Sequence, residues 1–293
     1  MIDLHTHTNF SDGTDSLEEL LQNAENAKLE VLSITDHDTT DGYKEIEKYR
    51  NVFSGMIIPG VELKAFYDGI PVEVLGYGVD YTKIKVNRDN VFDMQIDCLN
   101  EFKEKARNLG LKFDENVEVS KTDSRRKYAS FTFADELLKY KENEKKLLSI
   151  GPMFTQTEFY RVHASNKKSI FYYDESKFGI SIEQAIELIH NAGGLAFLAH
   201  PLLYPYDKDK YEAIEDIMKT YNLDGLEIEY STFTKEERQK LKEIAKKNKK
   251  YVSAGTDYHA NNKPNIKLGT GIDNNMSVEK ELIKDWLDKV EII

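Results

Sequence analysis

Residues 1–38 read MIDLHTHTNFSDGTDSLEELLQNAENAKLEVLSITDHD, and they contain a complete strand–helix–strand unit. The stretch 2–8 predicts the first strand. Ser16 and Glu19 match a capping box, and apolar residues then recur on one helical face, so a helix is predicted from about Ser16. The apolar, β-branched run 31–35 predicts the second strand. The chain therefore opens with the βα alternation of an α/β protein.

The same alternation continues through most of the chain. Further elements are predicted as strands at 56–63, 70–77, 195–199, 225–229 and 251–255, and as helices at 41–50, 181–191, 211–221, 235–249 and 278–290. Repeated βα units with apolar strands indicate a mostly parallel sheet covered by helices. About seven strands favour a closed barrel over an open sheet.

The middle of the chain has a different pattern. Residues 82–178 are rich in Lys, Glu, Asn and aromatic residues, with helical periodicity at 91–109 and 133–148 and few strand signals. We interpret this stretch as an inserted, mainly helical subdomain. The predicted domains are thus a discontinuous barrel, 1–81 with 179–293, and the insertion 82–178.

The composition limits the class of protein. Of the 293 residues, 40% are apolar and 31% are charged, which predicts a water-soluble globular protein without a membrane span. No obligate protein partner is evident from the sequence. The formal charge of −12 argues against binding long nucleic acid through its backbone. The single cysteine, Cys98, fits a reducing cytoplasm and is interpreted as a packed side chain.

Polar side chains that can bind metals are concentrated at strand ends. His5 and His7 stand at i and i+2, as do Asp257 and His259, so each pair points to one face. Because the carboxyl ends of parallel barrel strands meet at one mouth, these residues are expected to lie close together. The candidate ligands are His5, His7, Asp12, His37, Glu62, Glu73, His200, Asp257 and His259.

This set of donors predicts a metal site. Imidazoles and carboxylates without thiolates suit zinc, manganese or iron better than magnesium or calcium alone. Eight or nine ligands are too many for one ion and suit three, with a bridging carboxylate holding ions about 3.5–4 Å apart. The two remaining histidines, His163 and His190, are interpreted as a residue of the insertion and a residue of a helix C-terminus.

The chain resembles the PHP family, the polymerase and histidinol phosphatase domains. The motifs that carry the resemblance are Asp3-Leu4-His5-Thr6-His7-Thr8, Ser11-Asp12-Gly13, Ile34-Thr35-Asp36-His37-Asp38, Gly60-Val61-Glu62, Leu198-Ala199-His200-Pro201 and Gly255-Thr256-Asp257-Tyr258-His259. They occur in the family's order and cover all of the chain except the insertion.

The resemblance implies a distorted (β/α)7 barrel with a trinuclear metal site. It would place His5, His7, Glu62 and Asp257 on one ion, Glu62, Glu73 and His200 on a second, and Asp12, His37 and His259 on a third. The short first loop and the insertion resemble the stand-alone phosphoesterase branch. Members of that branch act on 3',5'-nucleoside bisphosphates and on the 5' ends of short RNA.

The chain departs from the family pattern at two places. Glu73 stands where this branch usually has His, and Leu203 stands where Arg often follows the His-Pro pair. An Arg-x-His pair that is often present in the insertion is not evident. Cations that bind substrate phosphate are therefore expected from elsewhere, with Arg125, Arg126 and Arg161 as candidates.

The resulting hypothesis is hydrolysis of a phosphate monoester of a small nucleotide by metal-bound hydroxide, with Asp257, Glu62 and His200 as the catalytic residues. Two or three ions of manganese, iron or zinc would be the cofactors. One alternative is a histidinol-phosphate phosphatase on the same machinery. Another, of a different class, is a catalytically weak metal- or nucleotide-binding protein, to which Glu73 and Leu203 point.

Overall fold

The structure is a computed structural model that describes residues 1–86, 91–122, 128–152 and 155–293. The described strands are β1 Ile2–Thr6, β2 Val31–Ile34, β3 Met56–Tyr67, β4 Ile70–Tyr77, β5 Ile180–Ser181, β6 Leu195–Leu198, β7 Gly225–Tyr230, β8 Tyr251–Gly255, β9 Ile266–Lys267 and β10 Gly271–Ile272. The described α-helices are α1 Leu17–Asn26, α2 Ile46–Tyr49, α3 Val91–Asn108, α4 Ala129–Leu138, α5 Glu144–Ile150, α6 Gln156–Glu158, α7 Ile182–Asn191, α8 Lys210–Thr220 and α9 Lys235–Asn248.

Seven strands form a barrel-like sheet in the order β1-β2-β3-β4-β6-β7-β8. The ends of this sheet meet, because Thr6 pairs with Tyr258 and the His7 amide donates to the Tyr258 carbonyl at 2.9 Å. The predicted distorted seven-stranded barrel with a helical insertion is confirmed.

Strand β4 runs antiparallel to both of its neighbours, whereas the other pairs along the barrel are parallel. Two residues, Asp68 and Gly69, separate it from β3, and a parallel return needs a much longer connection. The first half of β4 therefore lies at the mouth where the other strands end. Glu73, in that half, pairs with Lys64 of β3.

Local sequence signals explain how the outer helices begin. Ser16 and Ser181 accept the backbone N–H of Glu19 and Gln184, and the side chains of these partners return to the cap amides. Both predicted capping boxes are thus present, and a further one precedes α9 at Thr234. The helices bury their apolar faces against the barrel.

Three predicted helices differ in extent or type. The stretch 41–50 is the 3₁₀ helix Asp41–Glu45 followed by the short α-helix Ile46–Tyr49. The stretch 133–148 is two helices, because buried Asn143 donates to the carbonyls of Leu137 and Lys112 between them. The stretch 278–290 contains two 3₁₀ turns, Lys280–Ile283 and Leu287–Lys289, rather than one α-helix. Ile283 and Trp286 are both buried, and the indole N–H of Trp286 donates to the Val252 carbonyl at 2.9 Å, which holds this segment against the barrel.

The insertion has an apolar core of its own. Phe102 is fully buried at its centre, with Phe133, Phe159 and Phe171 packed around it at ring distances of 5.5–6.1 Å. Cys98 is buried in the same cluster, as predicted for a packed side chain. None of the helices in the described part of the chain is long and apolar enough to span a lipid bilayer.

Candidate metal centre

All nine predicted ligands lie at one mouth of the barrel. His5 is in β1, Glu62 in β3 and Glu73 in β4, and the others follow β1, β2, β6 or β8. The residues from His5 to Glu62 lie on or directly after β1, β2 and β3. Asp257 and His259 follow β8, and closure of the barrel between β8 and β1 brings them next to this group. Their donor atoms form four groups, and the atoms inside each group lie within 4.8 Å of one another. The groups are His7, Asp12, His37 and His259; His5, His7 and Asp257; His5, Glu62 and His200; and His37, Glu62 and Glu73.

Glu62 lies at the centre of these groups and is fully buried. Its Oε2 atom is 3.2 Å from His5 Nε2, 3.3 Å from His7 Nε2 and 3.2 Å from His37 Nδ1. Its Oε1 atom is 3.1 Å from His200 Nε2. The two oxygens thus face different histidines, which is the arrangement that a bridging carboxylate requires.

Glu73 is within reach of the same cluster. Its Oε2 atom lies 3.1 Å from His200 Nε2, and its Oε1 atom lies 3.6 Å from His37 Nδ1. A carboxylate on the antiparallel strand therefore occupies the place at which the resemblance implies a histidine.

Asp12 and Asp257 flank the other side of the cluster. Asp12 Oδ1 is 3.0 Å from His259 Nε2 and 3.7 Å from His7 Nδ1. Asp257 Oδ1 is 3.3 Å from His7 Nε2 and 3.7 Å from His5 Nε2. Together these aspartates and histidines form a wall of donors opposite Glu73.

Several of the donor atoms are buried without a hydrogen-bond partner among the described residues. They are His5 Nε2, both ring nitrogens of His7, Asp12 Oδ1, Glu62 Oε2 and His200 Nδ1. An unpaired buried polar atom costs about 1–3 kcal/mol, so this number at one place needs a compensating ligand. Nitrogen and carboxylate donors without thiolates match a cluster of divalent ions, and the residues present therefore fit such a group.

Without ions, the cluster favours the protonated forms of His7 and His200 next to ionised carboxylates. Burial opposes the charged form of His7, but close contacts with Asp257 and Glu62 outweigh burial and raise its pKa to about 10. In the same way Glu62 and Glu73 raise the pKa of His200 to about 9. Although burial favours its neutral acid, the pKa of Glu62 is held well below its usual value by His5 and His37. Ion binding must therefore displace protons from the imidazoles.

Asp257 is held by partners that the sequence patterns did not single out. Its Oδ2 atom accepts hydrogen bonds from Tyr230 Oη at 2.6 Å and Lys263 Nζ at 2.5 Å. These contacts leave Oδ1 facing His5 and His7. Asp257 has a positive φ of 60°, a conformation that non-glycine residues seldom adopt and that is often found at functional sites.

Glu227 of β7 is a further residue that the patterns did not identify. Its side chain contacts His5 and the backbone of His200. A sequence signal was available, because a glutamate between Leu226 and Ile228 interrupts an apolar core strand.

A cavity of about 180 Å³ lies over the cluster, and the insertion forms part of its wall. The wall includes Phe131, Thr157, Tyr160, Arg161 and Ser165 from the insertion, together with Lys64, Leu203, Tyr204 and Lys263 from the barrel. Of the three arginines predicted to bind substrate, Arg161 lies in this wall. Arg125 and Arg126 lie outside the described residues.

The remaining histidines lie outside this cluster. His163 is buried in the insertion, where its ring nitrogens contact Ser169 Oγ at 3.1 Å and the Pro152 carbonyl at 2.9 Å. His190 lies in the last turn of α7, and its Nε2 atom is 2.7 Å from Asp224 Oδ2.

Comparison with known proteins gives one consistent result. The profile of the PHP domain matches residues 3–258. A 5'-3' exoribonuclease of Haemophilus influenzae is 29% identical over 258 residues, covering 88% of this chain and 89% of that protein. A 3',5'-nucleoside bisphosphate phosphatase of Chromobacterium violaceum is 23% identical over 261 residues, covering 88% and 87%.

A solved structure has the same fold. It is an amidohydrolase from Chromobacterium violaceum with bound sulfate, which aligns with a TM-score of 0.68 at 20% identity over 96% of this chain and 95% of that one.

Proposed function

This chain belongs to the PHP family and is a metal-dependent phosphoesterase, and we propose that it hydrolyses phosphate monoesters of small nucleotides. The observation that supports the proposal is the convergence of nine imidazole and carboxylate side chains beneath one cavity. By their names, one relative is an exoribonuclease that acts on RNA in the 5'-3' direction, and another is a phosphatase of 3',5'-nucleoside bisphosphates.

The ions would be held in three sets of ligands, two of which share Glu62. His5, His7, Glu62 and Asp257 would hold one, Glu62, Glu73 and His200 a second, and Asp12, His37 and His259 a third. Two or three ions of manganese, iron or zinc suit these donors, and the carboxylate of Glu73 favours manganese. When bound, such ions supply Lewis acidity to the phosphoryl group and lower the pKa of water at the site.

The side chains of the protein position the centre and balance its charge. Asp257, Glu62 and His200 are the proposed catalytic residues, with Glu62 shared between two of the ligand sets. Tyr230 and Lys263 fix Asp257 Oδ2, so that Oδ1 keeps its direction toward the cluster. This arrangement orients the Asp257 carboxylate before substrate arrives.

The cavity wall offers contacts for both parts of a nucleotide. Arg161 and Lys263 carry positive charge that would neutralise phosphate oxygens not bound to ions. Tyr160, Tyr204 and Phe131 provide aromatic surface on which a base can pack. Because Leu203 stands where the family often has Arg, these two cations are the proposed replacements.

The test is phosphate release by the purified protein with added Mn²⁺. The substrates would be adenosine 3',5'-bisphosphate, adenosine monophosphate, histidinol phosphate and a short 5'-phosphorylated RNA. We expect turnover of a nucleotide substrate, its loss in Asp257→Ala, and its retention in Asp216→Ala, which removes an exposed carboxylate of α8.

Two results would overturn the proposal. One is full activity of Asp257→Ala, which would remove the assigned centre. The other is turnover of histidinol phosphate alone, which would assign the alternative substrate to the same fold.

A further inference from the structure

Glu227 is a fully buried carboxylate in the middle of an apolar strand. Its neighbours Leu226 and Ile228 are buried as well, in the hydrophobic cluster of the barrel. A carboxylate is costly to bury unless its oxygens are paired, so both oxygens are expected to contact hydrogen-bond donors.

Both oxygens of Glu227 are engaged with proposed metal ligands. Oε1 lies 3.0 Å from His5 Nδ1, and Oε2 accepts the backbone N–H of His200 at 2.8 Å. His5 is on β1 and His200 follows β6, so one side chain connects two strands that are not neighbours in the barrel. Glu227 itself is absent from the groups of converging donor atoms among the described residues.

The contact with His5 determines which ring nitrogen is available. A carboxylate next to Nδ1 keeps the proton on that nitrogen, because the carboxylate can only accept. In the neutral form of the ring, which an ion requires, Nε2 then carries the free lone pair, and this atom lies 3.2 Å from Glu62 Oε2 within the cluster.

The contact with His200 supports an unusual backbone conformation. His200 has φ 20° and ψ 60°, a sparsely populated region that persists only when the surroundings hold it. Anchoring its N–H at Glu227 directs the ring, so that Nε2 lies 3.1 Å from both Glu62 Oε1 and Glu73 Oε2.

Strand irregularities occur at Glu227 and around His5. The register of β7 and β8 shifts between Glu227 and Glu229, and that of β1 and β2 shifts between Asp3 and Thr6, around His5. Such bulges re-aim side chains and occur frequently at barrel rims next to active sites.

We infer that Glu227 is a positioning residue of the metal centre, which fixes the ring of His5 with one oxygen and the backbone of His200 with the other. This inference rests on the proposed function, because it assigns His5 and His200 to bound ions. It adds a buried carboxylate that holds ligands rather than binding an ion.

The test compares Glu227→Gln with the same substitution at Glu229, two residues along the strand, where the carboxylate pairs with Arg238 at 2.8 Å. Glutamine keeps the shape but has only one acceptor oxygen, so it cannot accept from both His5 and His200. We expect Mn²⁺ and Co²⁺ affinity to fall 10- to 100-fold in Glu227→Gln, as is typical when a partner of a metal ligand is lost. Glu229→Gln should bind both ions as the wild type does.

The Co²⁺ absorption spectrum separates positioning from general support of the fold. A changed spectrum in folded Glu227→Gln is expected, since the ligand geometry changes. An unchanged spectrum and affinity, with only a lower melting temperature of the ion-free protein, would overturn the inference. If Glu227→Gln does not fold, Glu227→Asp serves instead, because its shorter side chain cannot reach both partners; wild-type binding by that variant would also overturn the inference.

Failure of the proposed function gives a different result. Absence of Mn²⁺ and Co²⁺ binding by the wild-type protein would remove the metal centre, and the inference with it. If the wild type binds both ions and releases phosphate, and Glu227→Gln has the same ion affinity and Co²⁺ spectrum, only the inference is overturned and the proposed function stands.

Discussion

Replacing Phe102 by alanine tests whether the insertion, 82–178, is a separate folding unit from the barrel, as we propose. Phe102 is fully buried and touches the rings of Phe133, Phe159 and Phe171. The described members of its cluster all belong to the insertion. The substitution should therefore loosen the insertion and leave the barrel core intact.

The size of the effect follows from the burial of this side chain. Truncation of a buried Phe costs about 3–5 kcal/mol. With a urea m-value of about 1.5 kcal/mol per M, a loss of about 4 kcal/mol corresponds to a decrease of about 2–3 M in the urea midpoint of the insertion. A domain of this size is stabilised by only about 5–15 kcal/mol, so the insertion should become marginally stable.

Two spectroscopic probes can distinguish the two units. Trp286 is the single tryptophan, and it is buried in the barrel core, where its ring stacks on Tyr77 at 5.4 Å. Its fluorescence reports barrel unfolding, whereas circular dichroism also reports the helices of the insertion. In Phe102→Ala the dichroism transition should move to lower urea, while the fluorescence transition changes little.

A matched variant in the barrel provides the control. Leu241 of α9 is fully buried in the barrel cluster. Leu241→Ala should lower the free energy of unfolding of the barrel by about 2–5 kcal/mol and move the fluorescence transition to lower urea. If Phe102→Ala shifts both transitions together and equally, the barrel and the insertion form one cooperative unit and the proposed division is wrong.

Three further predictions concern the metal centre. Glu73→Gln should reduce the number of Mn²⁺ ions retained per chain, since Glu73 lies 3.1 Å from His200; unchanged ion content by elemental analysis would exclude Glu73 as a ligand. Arg161→Met should raise KM for a phosphorylated substrate by about 10-fold or more, the value of a lost charge-assisted contact, with ion content unchanged; an unaltered KM would place Arg161 outside substrate binding. In the ion-free protein, the pKa values of His7 and His200 are raised to about 10 and about 9. The stability that these two protonated rings contribute is fully present below the pKa of about 6.5 of an unfolded histidine, and it is lost as the pH rises through 9 and 10. The free energy of unfolding in the presence of a chelator should therefore decrease from pH 7 to pH 10. An increase over that range in urea titrations would contradict the protonation of His7 and His200 in the ion-free protein.

The sequence allowed the ends of most barrel strands to be predicted, and with them the candidate ligands. Apolar runs that end in His or Asp, such as the runs before His37 and His200, indicate a buried strand and a polar mouth at the same time. Capping boxes at Ser16 and Ser181 are equally local signals, because a side chain bonds to an amide three residues away.

The direction of β4 could not be read from its alternation. An antiparallel strand and a parallel one have the same period of two, so the pattern around Glu73 does not indicate which end lies at the mouth. Similarly, the apolar residues of 278–290 predicted an α-helix, but the segment has 3₁₀ turns and Ile283 and Trp286 pack in the barrel core.

The sequence by itself therefore determined the α/β class, the strand ends and the residue types from which a metal centre can be built, because these depend on local pattern. Only the tertiary structure decided that Glu227 contacts His5 and His200, that Tyr230 and Lys263 donate hydrogen bonds to Asp257, and that the insertion forms part of the cavity wall. Such contacts join residues up to 222 positions apart, and their partners are fixed only when the barrel closes.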